Sequence, residues 1–192
     1  NPYRVSNALE SARKLADITY AAGYCDAFGR EDDVLEAEAV AAAKRADKAV
    51  IFAGLPESYE SEGYDRTHMR MPAYQNRLIE EIAAVQPNTI VVLHNGAPVE
   101  MPWAEQVKGI LESYLGGEAV GEAQTDILFG AVSPSGKLSE SFPEKLEDNP
   151  SYLFYGDGTD KAEYREGIFV GYRYYDKKMM NVRFPFGHGL SY

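Results

Sequence analysis

The chain predicts an α/β fold: a three-layer αβα sandwich on a mainly parallel sheet, followed by a long wrapping tail rich in tyrosine and glycine. Three features carry this reading. Segments with helical spacing of apolar residues alternate with short apolar runs of strand type, the pattern of a parallel sheet with helices on both faces. The apolar runs are nearly continuous, as buried strands are. Beyond Pro143 helical periodicity gives way to Tyr, Gly and Asp. At 192 residues the chain fits one domain of ordinary size, read as a core over about residues 1–143 and a tail over about 144–192.

The elements follow in order. Val5, Ala8, Leu9, Ala12 and Leu15 recur at helical spacing, so a helix is expected over Val5 to Leu15. Ile18 to Ala22 is a short apolar run ended by Gly23. Asp32 and Asp33 precede an Ala/Glu/Lys-rich stretch, Val34 to Ala46, that ends in Lys44 and Arg45. That charge order complements the helix dipole and predicts a helix. Lys48 to Gly54 reads as a buried strand. Ala73 to Val85 sets Leu78, Ile79, Ile82 and Ala83 on one helical face, and Pro87-Asn88 stops it. Thr89 to Leu93 is a β-branched strand, ending at His94-Asn95-Gly96. Val107 to Leu111 reads as a third strand, Gly121 to Phe129 as a helix, Leu138 to Phe142 as a late strand, and Ile168 to Tyr175 as a short strand within the tail. Right-handed crossovers then bring Glu60, Glu62 and Asn95 to one edge of the sheet, where open α/β folds hold their chemistry.

Composition narrows the partners. Hydrophobic residues make up 45% and charged residues 26%, as in a globular protein. A net charge of −11 argues against nucleic acid and anionic membranes as partners, and no apolar stretch approaches the length needed to span a bilayer. The single cysteine, Cys25, excludes an internal disulfide, favours a reducing, cytoplasmic compartment over others and reads as a small buried hydrophobe. The start, Asn1-Pro2-Tyr3-Arg4, has neither an initiator Met nor a signal-peptide pattern, so the chain is expected to be a piece of a longer polypeptide. Fourteen tyrosines make sugars plausible partners.

Glu60-Ser61-Glu62-Gly63-Tyr64-Asp65-Arg66 directly follows the strand ending at Gly54 and carries the chemistry. A partly desolvated carboxylic acid there could act as a general acid; a solvated acidic loop is the alternative. Gly116-Gly117-Glu118-Ala119-Val120-Gly121 lacks both the Gly-x-Gly-x-x-Gly order and the P-loop Lys, and reads as a tight turn into a helix. His68, His94 and His188 have no metal-ligand spacing, and no nucleophile elbow occurs.

An ordered series of segments is more specific. It runs Glu62-Gly63-Tyr64-Asp65-Arg66, Met71-Pro72, Asn95-Gly96-Ala97-Pro98-Val99 with Pro102-Trp103, Pro134-Ser135-Gly136-Lys137-Leu138, Glu166 to Tyr175, and Phe184-Pro185-Phe186-Gly187-His188-Gly189-Leu190-Ser191-Tyr192. Together these resemble the α/β sandwich domain of glycoside hydrolase family 3, over about residues 46–192. The resemblance implies retaining hydrolysis of a β-glucoside or related β-glycoside, with no cofactor and no metal. It also implies a (β/α)8 barrel domain of the same enzyme, absent from this chain, that carries the nucleophilic aspartate. Glu62 is then the acid/base, with Glu60 in reserve. Tyr64 would line the aglycone side, Asp65 and Arg66 would pair to hold the loop, and Trp103 would pack in the core. Tyr114 to Glu118 departs from the aromatic-Pro-Gly-Gln-Glu run of many members, which bears on turn geometry. The isolated chain is expected to be inactive. The alternative function is a non-catalytic, flavodoxin-like binding or interface module.

Overall fold

The computed structural model describes residues 3–25, 32–63, 65–156, 158 and 160–192. The chain divides into two compact units, one of residues 1–66, 70–97 and 101–132, the other of residues 67–69, 98–100 and 133–192.

The first unit is built on three parallel strands, β1 (Ala49–Gly54), β2 (Thr89–His94) and β3 (Gly109–Glu112), in the order β1-β2-β3. The sheet is open, and its register pairs Gly54 with His94 and Leu93 with Glu112, so the carboxyl ends of all three strands share one edge. β2 is central and Val91, Val92 and Leu93 are fully buried. On β1 burial alternates, with Ile51 and Ala53 inside and Val50 and Phe52 half-exposed.

Helix α1 (Ala8–Ala12) packs on α4 (Val120–Leu128), and α2 (Asp33–Arg45) packs on α3 (Ala73–Val85), which lies against β1 and β2. These pairs are the helical layers of the predicted sandwich. The bounds of α3 match the sequence reading, and its buried side is Tyr74, Gln75, Leu78, Ile79 and Ile82. Gln75 also uses its side-chain oxygen to accept from the Gly54 N–H at 2.9 Å, tying α3 to the end of β1. Trp103 is completely buried, and its indole N–H donates to Asn76 Oδ1 at 2.9 Å, as a core tryptophan requires.

Helix α1 (Ala8–Ala12) is shorter than its periodicity suggests, and at its start the reason is that the residues before it have other tasks. The Asn7 side chain caps α1 by accepting from the N–H groups of Leu9 and Glu10. Ser6 donates its N–H to the Glu118 carbonyl at 2.7 Å, and its hydroxyl accepts from the Glu122 N–H at 3.2 Å. α4 has no side-chain cap of its own, so Ser6 supplies one from across the unit. Glycines at and before the start of α4 allow the chain to pack this closely. A Cβ on Gly121 would stand 2.5 Å from the backbone of Asn7 and Ala8, and one on Gly116 would stand 2.3 Å from Val120 Cγ2. The glycine-rich run is a packing device.

In the second unit two expected strands differ. Leu138 to Phe142 forms no extended ladder; a single antiparallel bridge joins Phe142 to Phe184, with Leu138 N–H to His188 O and Gly187 N–H to Leu138 O, both 2.8 Å. The side chain of Ser141 accepts from the Phe186 N–H between these contacts, replacing the ladder bonds. The strand expected over Ile168 to Tyr175 is instead a turn followed by helix α5 (Tyr172–Lys178). Gly167 and Gly171 adopt φ of +58° and +54°, which breaks extension on both sides of the apolar run. Ile168 and Val170 are exposed, so their strand preference finds no sheet to pack on. Cys25 also differs from expectation: it is exposed rather than buried.

Candidate functional site

The site grows from the end of β1. A Cβ on Gly54 would fall 2.1 Å from the His94 carbonyl, so only glycine lets the two strands run this close as they leave the sheet. The Leu55 N–H continues the pairing onto His94 O at 2.9 Å. The chain then turns, with the N–H groups of Tyr59 and Glu60 both bonded to the Pro56 carbonyl.

Glu60 closes this loop onto the next strand. Its Oε2 accepts from the Gly96 N–H at 2.6 Å and its Oε1 lies 4.0 Å from Arg66 Nη1. The two side chains are only 21% and 15% exposed respectively, so the bond to the backbone is partly shielded and charge-assisted. The Asn95-Gly96 turn that offers the N–H is itself held. Asn95 is fully buried and donates through Nδ2 to the Ala97 carbonyl at 3.0 Å and to Glu112 Oε2 at 3.2 Å. Glu112 Oε1 accepts from the Tyr114 N–H at 2.9 Å, which helps hold Tyr114 at a φ of +49°.

Glu62 lies two residues beyond Glu60, exposed, next to Gly63 at φ +98°. Its carboxylate has no hydrogen bond or ion pair among the described residues. Asp65 is likewise exposed, while Arg66 turns inward to Glu60. Tyr64 lies outside the described residues. Of the two glutamates, Glu60 is committed to the loop's own architecture and Glu62 is exposed. Composition gave no sign of this division; the signal that could have found it is Gly96, where a side chain would press on Glu60.

His94 ends β2 beside this turn. Burial pushes its imidazole pKa down, and Gln124 Nε2 lies 2.9 Å from His94 Nε2 and donates to Ser113 Oγ at 2.9 Å. A cleft of about 180 Å³ beside it is lined by Tyr24, Phe52, Ala53, Gly54, Leu55 and His94. That is below the roughly 300 Å³ at which ligand clefts begin. Among the described residues no group of three or more His, Cys, Asp or Glu side chains is gathered as a metal site needs, and no helix is long and apolar enough to cross a membrane.

An open parallel sheet with an acidic loop at its carboxyl edge is common to many enzymes, and likeness to known proteins decides among them. The family model for the glycosyl hydrolase family 3 C-terminal domain matches residues 1–192. The chain belongs to glycoside hydrolase family 3. Among relatives of this family 3 domain, the thermostable beta-glucosidase B of Acetivibrio thermocellus is 54% identical over 195 residues, covering 100% of the chain and 26% of the relative. The exo-alpha-(1->6)-L-arabinopyranosidase of Bifidobacterium longum is 45% identical over 193 residues, again covering 100% of the chain and 26% of the relative. Among solved structures, the GH3 beta-glucosidase of Bifidobacterium adolescentis superposes with a TM-score of 0.95 at 46% identity, over 100% of the chain and 29% of its own. The beta-glucosidase of Kluyveromyces marxianus, solved with glucose, gives 0.81 at 44% identity over 85% of the chain and 20% of its own. The family 3 domain therefore spans about a quarter of the length of the curated relatives it matches.

Proposed function

We propose that this domain supplies the acid/base carboxylate, Glu62, to a retaining β-glycosidase whose nucleophile lies on a barrel domain of the same enzyme. The observation that carries the reading is how Glu60 and Glu62 are used: Glu60 is bonded to Gly96 and faces Arg66, while the Glu62 carboxylate stands exposed beside Gly63 with no partner among the described residues. A general acid must reach the leaving oxygen, so an unengaged carboxylate on a braced loop suits the task.

In a retaining reaction an aspartate attacks the anomeric carbon as Glu62 protonates the departing oxygen; the glutamate then takes a proton from water, which releases the sugar. The two carboxyl groups would stand about 5 Å apart across the bound sugar. Asp65 and Arg66 would support the loop, and Tyr64 would line the aglycone side. The substrate is a β-glucoside or a closely related glycoside. The relatives named for glucosidase and for arabinopyranosidase activity match the whole chain at comparable identity, which is expected if the sugar is selected mainly by the barrel.

The test is Glu62→Gln in the enzyme that contains this domain. Hydrolysis of substrates with poor leaving groups should slow by about 100-fold or more, and that of activated phenyl glycosides far less, since proton donation contributes roughly 10²–10⁴-fold where it is needed. Azide should restore turnover of the activated substrates. Uniform loss across leaving groups, with no azide effect, would exclude Glu62 as the acid.

A further inference from the structure

We infer that Glu60 is a positioning residue whose bond to the Gly96 N–H sets where the Glu62 loop stands. The inference rests on the assignment of Glu62 as the acid and assigns the neighbouring carboxylate a different task. Three observations carry it. The Glu60 Oε2 to Gly96 N contact, 2.6 Å, links residues 36 apart in sequence and ties the loop to the turn after β2 through a side chain. A Cβ at Gly96 would lie 3.0 Å from Glu60 Oε1, 3.2 Å from Cδ and 3.3 Å from Oε2, so the carboxylate lies against the glycine face. The turn is anchored in turn, since the fully buried Asn95 bonds Ala97 O and Glu112, a residue of β3. The brace thus runs from the sheet, through Asn95 and Gly96, to Glu60, two residues before the acid.

An acid displaced by about 1 Å can lose roughly 100-fold in rate, so the brace is a kinetic as well as a structural feature. A Gln at position 60 keeps a carbonyl oxygen able to accept from Gly96 but loses the charge facing Arg66; an Ala keeps neither. Glu60→Ala should therefore lower kcat by about 100-fold and Glu60→Gln by about tenfold, with little change in KM. For a proton donor both variants would be equally impaired. Gly96→Ala should reproduce the intermediate loss, because Glu60 must shift by tenths of an ångström to admit the methyl. The double variant Glu60→Ala/Gly96→Ala should be no worse than Glu60→Ala alone.

The brace is tested apart from activity by the Gly96 amide of the 192-residue chain in NMR spectra. Its proton should resonate downfield and lose that shift in Glu60→Ala; an amide that ignores the substitution overturns the brace. Equal losses in Glu60→Ala and Glu60→Gln, with azide rescue, would make Glu60 the proton donor and overturn both readings. Parent-like turnover of Glu60→Ala would overturn the positioning role and leave the Glu62 assignment standing. Glu62→Gln tests that assignment by itself, so the two failures are read separately.

Discussion

His94 shows how a single side chain at the sheet edge couples the fold to pH. Burial holds its pKa below the ordinary 6.5, and the groups bonded around it, Gln124 and through it Ser113, are neutral. As pH falls below about 6.5 the unfolded chain takes up a proton that the folded chain resists. The contribution of His94 to stability is therefore complete above that value and is lost on acidification down to the folded pKa. Glutamine at this position keeps an acceptor for Gln124 and does not titrate. Thermal melts between about pH 7 and pH 5 should show a steeper loss of Tm for the parent than for His94→Gln. Parallel slopes would mean that the imidazole is as easily protonated folded as unfolded.

Among the elements, α2 is the one whose local signals all agree. Asp32 accepts from the N–H groups of Val34 and Leu35 at 3.1 Å, acidic residues occupy the first turn, and Lys44 and Arg45 the last. Glu36 is buried and takes two bonds from Arg77 of α3, at 2.9 and 2.6 Å, which couples the two helices. Replacing Asp32 by Ala should cost about 1 kcal/mol, read as a lower urea midpoint with an unchanged slope. A shift below about 0.3 kcal/mol would mean that packing on α3 carries the helix without its cap. α4 contrasts with it: its cap comes from Ser6, a residue more than a hundred positions away in sequence. The tail shows the opposite failure of local reading, because its apolar run had strand-forming residues but no sheet partner.

For the molecule as a whole, exposure is the informative quantity. Tyr152, Leu153, Tyr155, Tyr164, Ile168 and Phe169 of the second unit are exposed, with other large apolar side chains among them. Large apolar side chains left exposed in one unit are what a partner-covered surface is made of, and the domain accounts for about a quarter of its curated relatives. The isolated chain is therefore expected to give no β-glucosidase turnover above background, and to regain it, saturably, when a separately produced barrel domain is added. Retaining hydrolysis needs two carboxyl groups on opposite sides of one sugar, and by the reading above this chain brings only the acid. Turnover by the chain alone, abolished by changing one of its own carboxylates, would place the nucleophile within these 192 residues.

Periodicity and charge order lie within a few residues of sequence, so the sequence by itself determined what depends on them: the parallel α/β plan, the bounds of α3, α2 with its acidic start and basic end, and the strand that leads into the acidic loop. The ordered motifs likewise made the family legible. Tertiary structure decided what depends on groups distant in sequence. Nothing local to Gly121 announces that Ser6 must approach it, nothing in the Gly-rich tail says whether a strand partner will arrive, and nothing in Glu60-Ser61-Glu62 says which carboxylate will meet the Gly96 amide. Those outcomes are set by register and by which backbone groups are left unsatisfied once the sheet has formed. Neither quantity exists until the chain has closed on itself.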